Sequence, residues 1–97
     1  MDLEQQDRLI KAAEWAATQP FFLGAAMDKY CKVKNIHSFE LAMFLGCAYS
    51  DLPKLALCAQ PKFSSFEEDV RKISIYVSLK PEKLASMLKE LVSLTNL

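Results

Sequence analysis

The chain has 97 residues, with 12 Lys+Arg against 12 Asp+Glu, one His, three Cys, four Pro and two Gly. This length fits a single domain over 1–97 that buries roughly 60% or somewhat more of its unfolded surface around one core, which excludes a large enclosed active site. An apolar fraction of 52% excludes a disordered tail, and zero net charge excludes a grossly cationic nucleic-acid binder while permitting a local basic patch.

Six segments read as helices and none as a strand. Leu3, Ile10, Ala13 and Ala17 share one face of a first helix within residues 1–19, with Trp15 near the edge of that face. Pro20 interrupts the pattern, and because proline suits a first helical turn, a second helix is expected to start there. Phe22, Ala26, Tyr30 and Val33 line its inner face, and Lys32, Lys34 and Asn35 make a polar end. A third, strongly apolar helix runs from Ser38, a candidate N-cap, to Leu45, with Gly46 as its stop. Ser50 is placed to cap a fourth, in which Leu52, Leu55 and Ala56 or Leu57 face inward and Pro53 falls in the first turn.

Pro61 ends that helix. Ser65–Glu68 has the form of a capping box, with the serine accepting from the third amide and Glu68 reaching back. The fifth helix buries Phe66, Val70, Ile73 and Val77. Pro81 opens the sixth, with Leu84, Leu88, Leu91 and Leu94 or Val92 inward. The expected fold is all-α: a compact five- to six-helix bundle with short connections, its core over 20–94 and an extra N-terminal helix. Residues 1–27 carry four acids and two bases and residues 28–97 eight acids and ten bases, so the body is weakly basic at +2 and its extension acidic at −2.

The segment Ser38–Pro61, SFELAMFLGCAYSDLPKLALCAQP, resembles the helix-turn-helix of small phage-repressor-like (XRE-type) regulators. Leu41–Ala42 and Leu45–Gly46 match the first helix and its turn, Cys47 the small apolar position after the glycine, and Ser50–Leu55 the recognition-helix slot. The resemblance extends over about residues 21–88, with Phe21–Lys34, Phe66–Leu79 and Pro81–Leu88 as flanking helices. It implies a repressor-like centre and a small, dimeric, DNA-binding transcriptional regulator. The residues it places beside double-stranded DNA are Tyr49, Ser50, Lys54, Gln60 and Lys62.

The recognition slot departs from what base readout requires. It holds no Arg, Asp51 repels phosphate, and only Lys54 and Lys62 are cationic; Lys29, Lys32, Lys34 and His37 could add a basic edge. The apolar content points elsewhere. Leu41–Tyr49 is apolar nearly all round, so Phe39, Met43 and Phe44 either fill the core between the second and fifth helices or belong to a patch. The alternative function is therefore a non-enzymatic adaptor or accessory subunit that uses the same scaffold to bind a protein partner, or a second copy, through Trp15, Phe21, Phe22, Met43, Phe44 or Tyr49.

Catalysis has little support. His37 sits at a helix boundary, and Glu67, Glu68 and Asp69 open a helix whose dipole they complement. Cys31, Cys47 and Cys58, spaced by 16 and 11, fit no close metal-ligand pair and read as reduced, packed thiols. No cofactor or metal is expected. The longest apolar runs, Pro20–Met27 and Leu41–Tyr49, fall short of the roughly 20 residues of a membrane span. The N-terminal MDLEQQDRLIKAAEW lacks a signal-peptide layout, so a cytoplasmic protein is expected.

Overall fold

The computed structural model describes the backbone of residues 3–95 and the side chains of residues 7–93, so Leu3 and Leu94 lie outside the described side chains. Six α-helices follow one another: α1 (Leu3–Ala16), α2 (Leu23–Lys34), α3 (Ser38–Leu45), α4 (Leu52–Ala56), α5 (Phe66–Val77) and α6 (Pro81–Thr95). Single 3₁₀ turns, Tyr49–Asp51 and Phe63–Ser65, lead into α4 and α5. Among the described residues there is no strand, only one antiparallel bridge between Phe22 and Ala59. The fold is all-α.

The core is built from the inner faces of α2 to α6. Leu23, Leu41, Leu45, Leu55, Leu84 and Met87 are fully buried, with Ala26, Tyr30, Leu52, Val70 and Val77 around them. The first helix docks on α4 and α2, and Ala16 at its end is completely buried. A radius of gyration of 12.7 Å is what a compact chain of this length has, about 13 Å, so α1 is no projecting arm.

Local details differ from the sequence reading where tertiary partners compete. The second helix starts at Leu23, not Pro20, because residues 21–23 are held extended against 58–60. Leu23 N–H donates to Cys58 O at 2.8 Å and Gln60 N–H to Phe21 O at 2.9 Å. Val33 on α2, Ile10 on α1 and Val92 on α6 are exposed rather than inward. The buried set of α2 instead includes Met27, one residue round from Ala26, and Gly24.

The third helix has the expected span, but its cap is His37. The His37 imidazole Nδ1 accepts from Phe39 N–H at 3.1 Å, and Ser38 is the first helical residue. Gly46 stops the helix at φ 79°, ψ 24°, and the amides of Gly46 and Cys47 both return to Ala42 O. That left-handed position suits glycine.

Ser50 does not cap α4, since it lies inside the 3₁₀ turn; Pro53 is the second residue of the helix, where a missing N–H costs little. The capping box also fails. Ser65 Oγ donates to Asp69 Oδ2 at 3.0 Å, and Lys62 N–H donates to the same oxygen at 2.9 Å. Asp69, not Glu68, therefore organises the entry to α5.

Candidate interaction face

The recognition-slot residues are split by the structure into occupied and open groups. Lys54 is half-buried on α4 with its Nζ 4.4 Å from the centre of the Tyr76 ring, a cation–π contact that holds the charge against α5. Gln60 Nε2 donates to Pro20 O at 2.7 Å and Phe22 O at 3.2 Å, fastening the turn between α1 and α2. Ser50 and Lys62 are exposed. Tyr49 is 51% exposed, and its ring leans on Phe39 with centroids 5.8 Å apart.

The wider basic edge is engaged in part, with Lys29 exposed and the other two lysines paired. Lys32 pairs with Asp28 at 2.9 Å, and Lys34 pairs with Glu90. Glu90 also accepts from the Tyr30 hydroxyl at 3.0 Å, so Lys34 and then Tyr30 hold its carboxyl below the usual range.

The apolar candidates fall into two ring clusters. Near the α1–α2 turn, Phe22 is half-buried with Trp15 and Phe21 against it at 5.4 and 5.1 Å, and the latter two are exposed. On α3, Phe44 is half-buried, stacked on Tyr30 at 6.4 Å, with Lys83 Nζ 5.2 Å from its ring centre.

Phe39 and Met43 do not fill the core. They lie one turn apart on the outer face of α3, 55% and 69% exposed, while Leu41, Ala42 and Leu45 opposite them are buried. With Tyr49 beside Phe39, they form a continuous apolar strip along α3 and the turn after it.

By sequence Phe39 is open between core and surface. The signal that decides it is angular: position 39 lies about 60° beyond Ala42, the nearest edge of the buried sector of positions 41, 42 and 45. Ile75 and Tyr76 are exposed on α5 for the same reason, and Phe63 is fully exposed in its turn.

The remaining reactive groups are held quietly. Burial pushes the thiols of Cys31, Cys47 and Cys58 up from their ordinary value, which disfavours the nucleophilic thiolate. The His37 ring is engaged as a cap. A concavity of about 440 Å³ between the Gln60–Phe66 segment and α6 is apolar, with Lys89 as its one titratable lining residue among the described residues. Among the described residues no group of His, Cys, Asp and Glu could hold a metal ion, and no helix is long and apolar enough to cross a membrane. Comparison with known proteins finds no match, whether a family model, a curated protein or a solved structure.

Proposed function

We propose that this chain is a non-enzymatic adaptor or accessory subunit that binds protein through α3 and the turn that follows it. The observation that carries this reading is the Tyr49–Phe39–Met43 strip, three large side chains each more than half exposed on the outer face of α3 and the turn after it. Scattered exposed apolar residues are ordinary, but a contiguous set of this size on so small a surface is the signature of a contact region. Aromatic and methionine side chains are also the residues that interface centres favour.

A second reading, the dimeric DNA-binding regulator, is supported by the α3–Gly46–α4 unit, in which Leu41, Ala42, Leu52 and Leu55 pack inward as a helix-turn-helix needs. Against it, the helix in the recognition slot is five residues long, Asp51 precedes it, and Lys54 is turned onto Tyr76. Phosphate binding of useful strength needs several free cations on one face.

A photoreactive benzophenone amino acid in place of Met43, introduced in the producing cells, tests the first reading. It is expected to give a protein adduct of defined mass that the same probe at exposed Glu67 does not give. Absence of any protein adduct at position 43, together with salt-sensitive binding of the purified chain to duplex DNA, would overturn the adaptor in favour of the regulator.

A further inference from the structure

The outer face of α3 is polarised along its length. Glu40 is exposed in the first turn, and among the described residues no cation lies within ion-pair distance of it. At the other end stand two lysines delivered by the start of α6. Lys80 N–H donates to Leu45 O at 3.0 Å, and its side-chain stem runs along Gly46, where an added Cβ would meet Lys80 Cγ at 3.2 Å. Lys83 places its Nζ over Phe44. Neither lysine has a carboxylate partner among the described residues. Phe39 and Met43 run along the other edge of the same outer face.

Glu40 and Phe44 are four residues apart, hence on the same edge of the helix. Lys83, seated on Phe44, therefore borders the edge that Glu40 occupies one turn earlier. A surface of this kind is complementary to itself in one orientation only. Two copies related by a two-fold axis perpendicular to α3, running antiparallel, bring Glu40 of each opposite Lys83 of the other along one edge and set Phe39 of each beside Met43 of the other along the second edge. In a parallel arrangement the charged edge of each copy meets the apolar edge of the other. Closed two-fold contacts are the commonest form of homo-oligomer, and every favourable pair in them occurs twice.

We infer that the partner of the α3 face is a second copy of this chain, paired antiparallel through α3, with two symmetric Glu40–Lys83 ion pairs along one edge and Phe39–Met43 contacts along the other. This inference rests on the adaptor reading and names the partner of the same face. One short helix and a neighbouring ring make a small contact, so the dimer is weak, with a Kd on the order of 100 µM.

The test is sedimentation equilibrium of the full chain across that concentration range, with helical content checked by circular dichroism. Wild type is expected to be a monomer–dimer equilibrium. E40K alone and K83E alone are each expected to weaken it by at least about tenfold, because each places two like-charged pairs in the dimer.

The deciding sample is the mixture. E40K carries Lys at both positions and K83E carries Glu at both, so mixed at equal concentration they form a heterodimer with both pairs complementary. Its Kd is expected within about threefold of wild type, as is that of the double variant E40K/K83E. A wild-type chain that stays monomeric throughout overturns the inference, and so does a mixture no tighter than its components. A Met43 cross-link to a different protein, with the wild-type chain monomeric, sinks self-pairing alone. Absence of every protein cross-link at Met43, together with salt-sensitive binding of the chain to duplex DNA, removes the adaptor reading as well.

Discussion

Two glycines show how differently one atom can matter. A Cβ on Gly24 would sit 3.1 Å from the Ala16 carbonyl carbon and 3.1 Å from the Ala17 nitrogen, both backbone, where α2 crosses the end of α1. A Cβ on Gly46 would first meet the flexible stem of Lys80, and its cost comes from holding φ at 79°. Gly24→Val is therefore expected to destabilise by about 3 kcal/mol, the upper end of overpacking costs, because helix backbone must move. Gly46→Ala is expected to cost about 1 kcal/mol, the penalty of a side chain in the left-handed region. Urea titration of both variants checks the order, and a Gly46→Ala change costlier than Gly24→Val would contradict the close α1–α2 approach.

The Lys34–Glu90–Tyr30 contact gives a second prediction at the same scale. Its hydrogen bonds from Lys34 and Tyr30 lower the Glu90 pKa from its ordinary 4.5, and those with Glu90 raise that of Lys34. Burial, then the Glu90 bond, raises Tyr30. A carboxylate whose folded pKa is depressed stabilises the fold above its unfolded value and loses that contribution as pH falls through the folded one. Acid unfolding below about pH 4.5 should thus draw partly on Glu90. Glu90→Gln is expected to flatten that limb of the stability–pH curve, and an unchanged acid limb would show the contact to be without energetic effect.

At the scale of elements, the span of α3 is legible from the sequence because its signals are local: an apolar run closed by a glycine. Its N-cap was not, since an imidazole acceptor at His37 competes with the serine beside it and wins. The start of α2 was illegible for a different reason. Pro20 is a good first-turn residue, but the backbone of 21–23 bonds to 58–60, a pairing nearly forty residues distant that no local pattern reveals.

The entry to α5 repeats the lesson. Ser65 and Glu68 satisfy the capping-box pattern, yet Asp69 collects both Lys62 N–H and Ser65 Oγ, folding the 3₁₀ turn back on the helix. Asp69→Ala is expected to speed hydrogen exchange at the Lys62 amide and to loosen the Phe63–Ser65 turn, with α6 amides unchanged. Unaltered exchange at Lys62 would return the cap to Glu68. The candidate face was half legible: Met43 and Tyr49 were flagged by apolar surplus, whereas Phe39 needed the angular position relative to the buried sector. The lysines from α6 that border it are more than thirty residues away in sequence.

For the whole molecule the sharpest question is the standing of α1. By sequence it is an addition to the 20–94 core, the most separable piece and acidic where the body is weakly basic. By structure it is part of the packing. Ala16 is fully buried, Gly24 closes against the Ala16–Ala17 backbone, Trp15 lies on Phe22, and Gln60 ties the connecting turn to the strand-like segment before α2. Removing residues 1–19 would strip Gly24 of the Ala16–Ala17 backbone that closes on it, Phe22 of the Trp15 ring, and α4 of the flank that α1 covers. Exposing even one leucine-sized surface costs about 2 kcal/mol, a large part of what a domain of this size holds in reserve. The truncated chain is expected to melt at least about 8 °C below the full one, since each kcal/mol moves the midpoint of a domain this small by roughly 4–8 °C. An unchanged melting temperature would mean that α1 rests on the core without stabilising it. Its aromatic cluster of Trp15, Phe21 and Phe22 would then be the better place to look for a partner than the face of α3.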